Sequence, residues 1–229
     1  MKQSYPGTTV LDLYSGPGGV GHALHELGMN HVGVDVEDYS SEYPGHFFQM
    51  DASDITSLVE VFFNDEIDLM WLSPPCQAYS NLSYVHHDNP KQVHDTFYDL
   101  NVRGVIHYLE PDHYIIENVS SCGDLHEPTR INGFGVGYDF DLERHFETSF
   151  PCPDAIGDGE SVLNMEKGIG DSYTNVAEAK GVPSEWGKTA VRSAIPKGYV
   201  QHLLHHCPSV DGVEPASDNG SQQHLTNFA

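Results

Sequence analysis

The sequence predicts a doubly wound α/β fold. Short apolar segments of strand character alternate with stretches whose apolar residues recur at helical spacing. A glycine-rich turn joins the first strand pattern to the first helix pattern, as such folds require. With 229 residues, the chain suits one domain, or one domain with a small appendage, and can bury a substantial core.

Residues 8–14 are rich in β-forming side chains and a glycine cluster follows them. Val20, Ala23, Leu24 and Leu27 then occupy one helix face, which Gly28 terminates. Residues 31–35 and 47–50 read as the second and third strands. Ser53 is placed to cap a helix whose apolar face is Ile55, Leu58, Val59 and Phe62. Residues 67–72 are almost wholly apolar, as a buried parallel strand should be. A helix over residues 97–109 leads to a fifth strand at 114–117. Beyond Asn118 the periodicity loosens into Gly, Asp and Ser-rich sequence. Residues 191–206 read as a short loop and a last helix, and the polar stretch from Pro208 as a disordered tail. The expected organisation is a core over 1–150, a short segment over 151–190, a return to the core over 191–207 and a tail over 208–229.

Composition restricts the function classes. Thirty-four acidic and ten basic side chains give a formal charge of −24. Such a balance works against phosphate binding driven by cations. The acids are spread along ordinary elements, which suggests a surface adapted to a salt-rich cytoplasm, where charge repulsion is screened within about 3 Å at 1 M salt. No apolar run reaches the ~18 residues of a membrane span, so no membrane partner is expected. The N-terminal residues lead straight into a strand pattern, which predicts no signal peptide and a cytoplasmic location. Four cysteines, Cys76, Cys122, Cys152 and Cys207, form no CxxC pair, so neither a zinc ribbon nor a disulfide framework is expected.

Gly16-Pro17-Gly18-Gly19-Val20-Gly21 matches the GxGxxG pattern, and Asp35 follows Gly16 by 19 residues. That spacing alone fits NAD and an oxidoreductase. Charge argues otherwise. Asp12, at the end of the first strand, would repel a pyrophosphate but favour the ammonium and sulfonium groups of S-adenosylmethionine. Asp35, with Val36 beside it, is placed for ribose hydroxyls, and Asp51 for the adenine amine. Three carboxylates around one ligand suit a cation better than a dinucleotide.

At the end of the fourth strand stands Ser73-Pro74-Pro75-Cys76-Gln77-Ala78-Tyr79-Ser80. Two prolines fix φ and stiffen the loop, aiming Cys76 at the cleft as a candidate nucleophile. A buried structural cysteine is the competing reading. One strand later, Glu117 ends a buried strand, a costly position for a carboxylate unless it binds something. A thiolate and a carboxylic acid across a flat ring are what addition to a pyrimidine requires.

These segments resemble the cytosine-C5 DNA methyltransferase family. Residues 12–19 are similar to its cofactor motif, 73–80 to its nucleophile motif and Glu117-Asn118-Val119 to its acid motif, in the family's order. The resemblance implies a Rossmann-like fold that uses S-adenosylmethionine and methylates a cytosine flipped out of DNA. Gly16 and Gly18 would shape the cofactor turn and Tyr14 would pack on the adenine. Cys76 would add to C6, with Glu117 as acid and Asn118 bracing the Cys76 loop. Pro75, Gln77 and Ser80 would lie against the substrate. Residues 142–148 are similar to the family's arginine motif, in which Arg144 would hold the cytosine O2 or the Cys76 loop. Residues 192–199 resemble the C-terminal motif of small, phage-type members, placing Ser193 and Ala194 at the cofactor pocket, with Lys197 in place of a usual proline. Only 42 residues separate Thr148 from Val191, room for a stub in place of a full target-recognition domain. RNA is the alternative substrate, and a binder without turnover would need a broken Cys76 or Glu117, which are both intact.

Fifteen histidines invite a metal reading. His202 and His206 share a helix face, with His205 and Cys207 adjacent. No acidic residue nearby completes a set, so a surface helix is the simpler reading and no metal is expected. His86 and His87 read as a solvated loop, and Cys122 and Cys152 as structural or incidental. The chain is expected to act as a monomer. Small size and acidity together suggest a protective role in a virus of a salt-loving microbe. If the charge is an adaptation, the melting temperature should rise from about 0.1 M to about 3 M KCl as carboxylate repulsion is screened. A maximum below about 0.2 M, with precipitation above it, would remove that explanation.

Overall fold

The computed structural model describes residues 9–62, 66–161 and 173–216. A single seven-stranded sheet organises them. In chain order the elements are β1 (Thr9–Leu13), α1 (Gly19–Glu26), β2 (Asn30–Asp35), β3 (His46–Gln49), α2 (Ile55–Phe62), β4 (Leu69–Leu72), α3 (Val102–Leu109) and β5 (His113–Val119). They continue with β6 (Thr129–Ile131), β7 (Arg144–Thr148), α4 (Tyr173–Lys180), α5 (Gly187–Ser193) and α6 (Lys197–His206).

The sheet runs β3-β2-β1-β4-β5-β7-β6. The first five strands are parallel, and β7 joins them antiparallel to both β5 and β6. Strand order reverses between β1 and β4, the crevice where doubly wound sheets bind ligands. β1 and β4 are buried along their whole length, which explains their apolar sequence. The exception in that pattern is Asp12, fully buried in β1.

Two apolar clusters cover the sheet. One joins α1 and α6 to Val10, Trp71, Ile115 and Phe146, and the other joins α2 and α3 to Leu11, Leu13, Met70 and Leu72. A smaller one gathers Phe140 and Leu142 with α4 and α5 through Val176, Ala177, Val191 and Ala194.

The antiparallel edge is tied to the core by Glu147, which is 4% exposed. Its carboxylate accepts both guanidinium nitrogens of Arg103 in α3, the His126 amide at 2.7 Å and the Tyr114 hydroxyl at 3.2 Å. Burial opposes the charged form, but the bonds from Arg103 and His126 hold Glu147 below its ordinary value.

Several sequence expectations are corrected. The helix expected over 97–109 begins only at Val102, because Asn101 adopts a left-handed conformation (φ 51°) ahead of it. Asp54, not Ser53, caps α2: its carboxylate accepts the Thr56 and Ser57 amides, while Ser53 turns back to Asp51. The loop and helix expected over 191–206 are two helices, since Ala194-Ile195-Pro196 leaves helical geometry between α5 and α6. The expected tail is ordered through residue 216: Val210 is buried, Val213 and Ala216 pack on the core, and Ser209 donates to the Asp68 carbonyl at 3.0 Å. Residues 217–229 lie outside the described residues, as does Thr8 of the first expected strand.

Glu147→Ala would leave Arg103 without its carboxylate. The expected loss of stability is about 2 kcal/mol, less than for a fully buried pair because Arg103 keeps contact with solvent. Because the folded value of Glu147 is lowered, its contribution is present above the ordinary carboxylate range and lost as pH falls through the lowered value. Thermal denaturation of the variant at neutral pH checks this; a loss under about 0.5 kcal/mol would mean that the pair contributes little.

Candidate active site

The sheet register explains why one end of the molecule is chemically dense. Leu13 pairs with Val34 and Leu72, and Leu72 with Ile116. The next residues along these strands, Tyr14, Asp35, Ser73 and Glu117, therefore stand at one level along the carboxyl edge. Around them opens a cleft of about 1340 Å³.

In its left half β1 leads into Tyr14, whose φ of +59° turns the chain sharply into the glycine loop. The Gly16 amide donates to Asp35 at 2.8 Å and the Glu37 amide to the other oxygen of Asp35 at 3.1 Å, so this carboxylate holds the loop's shape. Gly18 has a φ of 102°, and a Cβ there would lie 2.9 Å from Pro44 and Tyr43. Gly19 starts α1 against Ala194, where a Cβ would sit 3.1 Å from the Ala194 Cα and Cβ.

Asp12 lies beneath the loop. One oxygen accepts the Tyr43 hydroxyl at 3.2 Å, and the other is buried without a partner. Burial pushes this carboxyl up to about 8, against the lowering effect of Tyr43. An orphaned carboxylate oxygen facing a cleft is the feature a cationic ligand would satisfy. Asp51 and the largely exposed Val36 line the same half. The unpartnered Asp12 oxygen thus fits a cationic ligand that carries no phosphate.

In the right half, Ser73-Pro74-Pro75 carries Cys76 from β4 to the cleft floor. The Tyr79 and Ser80 amides both donate to the Cys76 carbonyl at 2.9 Å, making a tight turn. Asn118, buried and outside the lining, donates to the Pro74 carbonyl at 3.0 Å. Tyr79 anchors the turn by donating to Asp124 at 2.6 Å and accepting the Phe97 amide at 2.7 Å. Burial and then the Glu117 charge raise the Cys76 thiol, while Arg144 and Arg192 pull it down.

Glu117 is buried, which pushes it up to about 7 against the opposing Arg144 charge. Arg144 opposes Val119 across the β5–β7 pair, so it meets Glu117 on the diagonal, Nε to Oε1 3.4 Å.

Of the residues singled out from sequence, Asp12, Tyr14, Gly16, Asp35, Val36, Asp51, Pro75, Cys76, Gln77, Ser80, Glu117, Arg144, Ser193 and Ala194 line one cleft. Gly18 and Asn118 stand behind it as supports. Lys197, where a proline was expected, pairs with Glu26 of α1 at 2.6 Å.

Sequence reasoning missed Tyr43 and Lys180, and named Arg192 without placing it beside Cys76. Tyr43 holds Asp12, and its ring is the surface that Gly18, Gly21 and Gly33 pack against. Arg192 lines the cleft and acts on Cys76. Lys180, 1% exposed, donates to the Val191, Arg192 and Ala194 carbonyls at 2.7–3.0 Å, capping α5 where it borders the cleft. A buried lysine in a polar-looking segment carries no sequence signal.

The sequence model of C-5 cytosine-specific DNA methylases matches residues 8–131. The chain belongs to the C-5 cytosine-specific DNA methylase family, and its cofactor is S-adenosylmethionine. A tRNA (cytosine(38)-C(5))-methyltransferase of Rattus norvegicus is 30% identical over 117 residues, covering 48% of this chain and 30% of that protein. Among solved structures, S. pombe Dnmt2 methyltransferase aligns with a TM-score of 0.51 at 14% identity, covering 86% of this chain and 97% of that one, a likeness of fold. A mutant of Spodoptera frugiperda DNMT2 aligns at 0.44 and 20% identity, over 74% of this chain and 59% of that one. The chain thus spans under a third of the rat relative's length.

Lys180→Met would leave three carbonyls at the end of α5 unpaired. The expected result is about 2 kcal/mol of lost stability and cofactor affinity about tenfold weaker, equivalent to about 1.4 kcal/mol of ordering. Calorimetric titration with S-adenosylmethionine measures the second effect. Unchanged affinity in a folded variant would detach Lys180 from the pocket.

Proposed function

We propose that this protein methylates cytosine C5 in DNA through a covalent adduct between Cys76 and C6. The observation that carries the proposal is the meeting of Cys76, Glu117 and Arg144 in the same cleft as the orphaned Asp12 carboxylate.

S-adenosylmethionine, when bound, supplies an electrophilic methyl group. Asp12 would face its cationic end, Asp35 its ribose and Asp51 its adenine amine, with Tyr14 and Val36 against the ring and Ser193 and Ala194 closing the wall. The Cys76 thiolate adds to C6 of the flipped base, while Glu117 gives a proton or hydrogen bond to N3. Electron density then reaches C5, which takes the methyl group. Loss of the C5 proton and expulsion of the thiolate restore the aromatic ring. Arg144 holds the carboxyl of Glu117 and would reach the base carbonyl. Pro75, Gln77 and Ser80 would border the flipped nucleotide, and the short segment over 151–190 would limit sequence readout.

Glu117 must carry a proton and Cys76 must lose one. With Glu117 near 7 and the thiol raised above its ordinary value, that combination is most populated between the two. Activity should therefore follow a bell-shaped pH profile with its acid limb near 7. Glu117→Gln should cost about 10²–10⁴-fold, abolish the fall in activity at high pH and move the acid limb up to the thiol's own value. Cys76→Ser should abolish methylation while leaving cofactor affinity nearly unchanged, since a hydroxyl ionises far less than a thiol of ordinary pKa about 8.5. Activity within tenfold of wild type would overturn the covalent step.

RNA is the second reading, favoured by the rat relative, whose named substrate is a tRNA. Radiolabelled cofactor offered with DNA and RNA in one assay, followed by mass spectrometry for 5-methylcytosine, separates the two. Label in DNA supports the proposal, label in RNA alone moves it to the second reading, and label in neither with cofactor bound overturns both.

A further inference from the structure

Far from the cleft, the segment after β7 and the outer face of α6 bring three metal-binding side chains together. Ligand atoms of Cys152, His202 and His206 all lie within 4.8 Å of one another, and each residue is half-buried. Fifty residues of sequence separate the thiol from the first histidine. The two imidazoles are one helical turn apart, with ring centroids at 5.0 Å.

We infer that Cys152, His202 and His206 form a site for one zinc ion, with solvent in the fourth position. One thiolate and two imidazoles are a donor set suited to zinc, a borderline-soft cation. Zinc bonds of about 2.3 Å to sulfur and about 2.0 Å to nitrogen need ligand atoms somewhat closer than 4.8 Å, a change within reach of rotamer adjustment. Binding turns the thiol into a thiolate and releases its proton to solvent.

The backbone that presents Cys152 is already fixed. Thr129 donates to the Cys152 carbonyl at 2.8 Å, and Ala155 bonds back to Arg130 at 2.9 Å. His202 Nε2 lies 2.9 Å from the Pro153 carbonyl, holding that ring against the cysteine segment. Little ordering remains to oppose binding. The nearby Arg130 guanidinium is neutralised by Asp154 at 2.6 Å, so it would not repel a cation.

The other members of the histidine run are occupied elsewhere. His205 contacts the Val213 carbonyl at 2.8 Å, and Cys207 is buried with its sulfur 3.4 Å from the Ser209 hydroxyl. The ion would fasten α6 to the segment between β7 and the Ile131–Ala155 bridge.

The test uses the untagged full chain, stripped with a chelator and desalted. Titration with zinc against a chromophoric chelator should show one equivalent bound with a dissociation constant below about 1 µM. Saturation should raise the melting temperature by about 5 °C. Cys152→Ser and His206→Ala, checked for folding by circular dichroism, should each weaken binding at least about tenfold. Cobalt(II) should give a near-ultraviolet thiolate-to-metal band that Cys152→Ser removes and Cys76→Ser keeps. Wild-type binding weaker than about 100 µM, or a band that survives Cys152→Ser, would overturn the site.

Discussion

Two carboxylates buried at the carboxyl ends of parallel strands set the terms for this molecule. Asp12 and Glu117 stand where desolvation is most costly, and burial raises both. Much of the surrounding architecture serves to make them tolerable. Tyr43 reaches across a glycine-lined surface to one oxygen of Asp12. The antiparallel strand β7 exists in the right register to bring Arg144 diagonally to Glu117. A stable protein has no use for such placements, which is why they mark the working end of the fold.

The same accounting explains how so acidic a chain spends its few cations. Among the described residues, Lys91, Arg103, Arg130, Arg144 and Lys197 are each paired with a carboxylate, and Lys180 is buried on backbone carbonyls. Among the described residues, Lys188 and Arg192 have no ion-pair partner. Arg192 sits at the cleft, close enough to act on the nucleophile loop. Of these two, only Arg192 lines the cleft.

The parallel half of the fold was legible because its central strands β1 and β4 are buried on both faces and its helices show one apolar stripe. The site was legible for the same reason: Asp12, Cys76 and Glu117 interrupt apolar runs at strand ends, where a polar residue demands an explanation. What escaped was set by distant contacts. Thr129–Ile131 is too short to show alternation, and β7 carries Arg, His and Glu because it lies beside a charged site. Lys180 reads as a surface residue until α5 is laid over it. Cys152 lies fifty residues of sequence before His202, so only tertiary structure places it near His202 and His206.

The close approach of Gly19 to Ala194 has a bearing on how the molecule is made. One wall of the cleft comes from the start of α1 and another from α5 and the Ala194-Ile195 turn, with Lys197 at the start of α6 pairing with Glu26 of α1. During synthesis the glycine loop emerges early, yet it has nothing to close against until α5 and Ala194 have left the ribosome. Such late, long-range closure is slow relative to local folding. A chain truncated before α5 would hold its nucleophile in a cleft that lacks one wall and lies open to water.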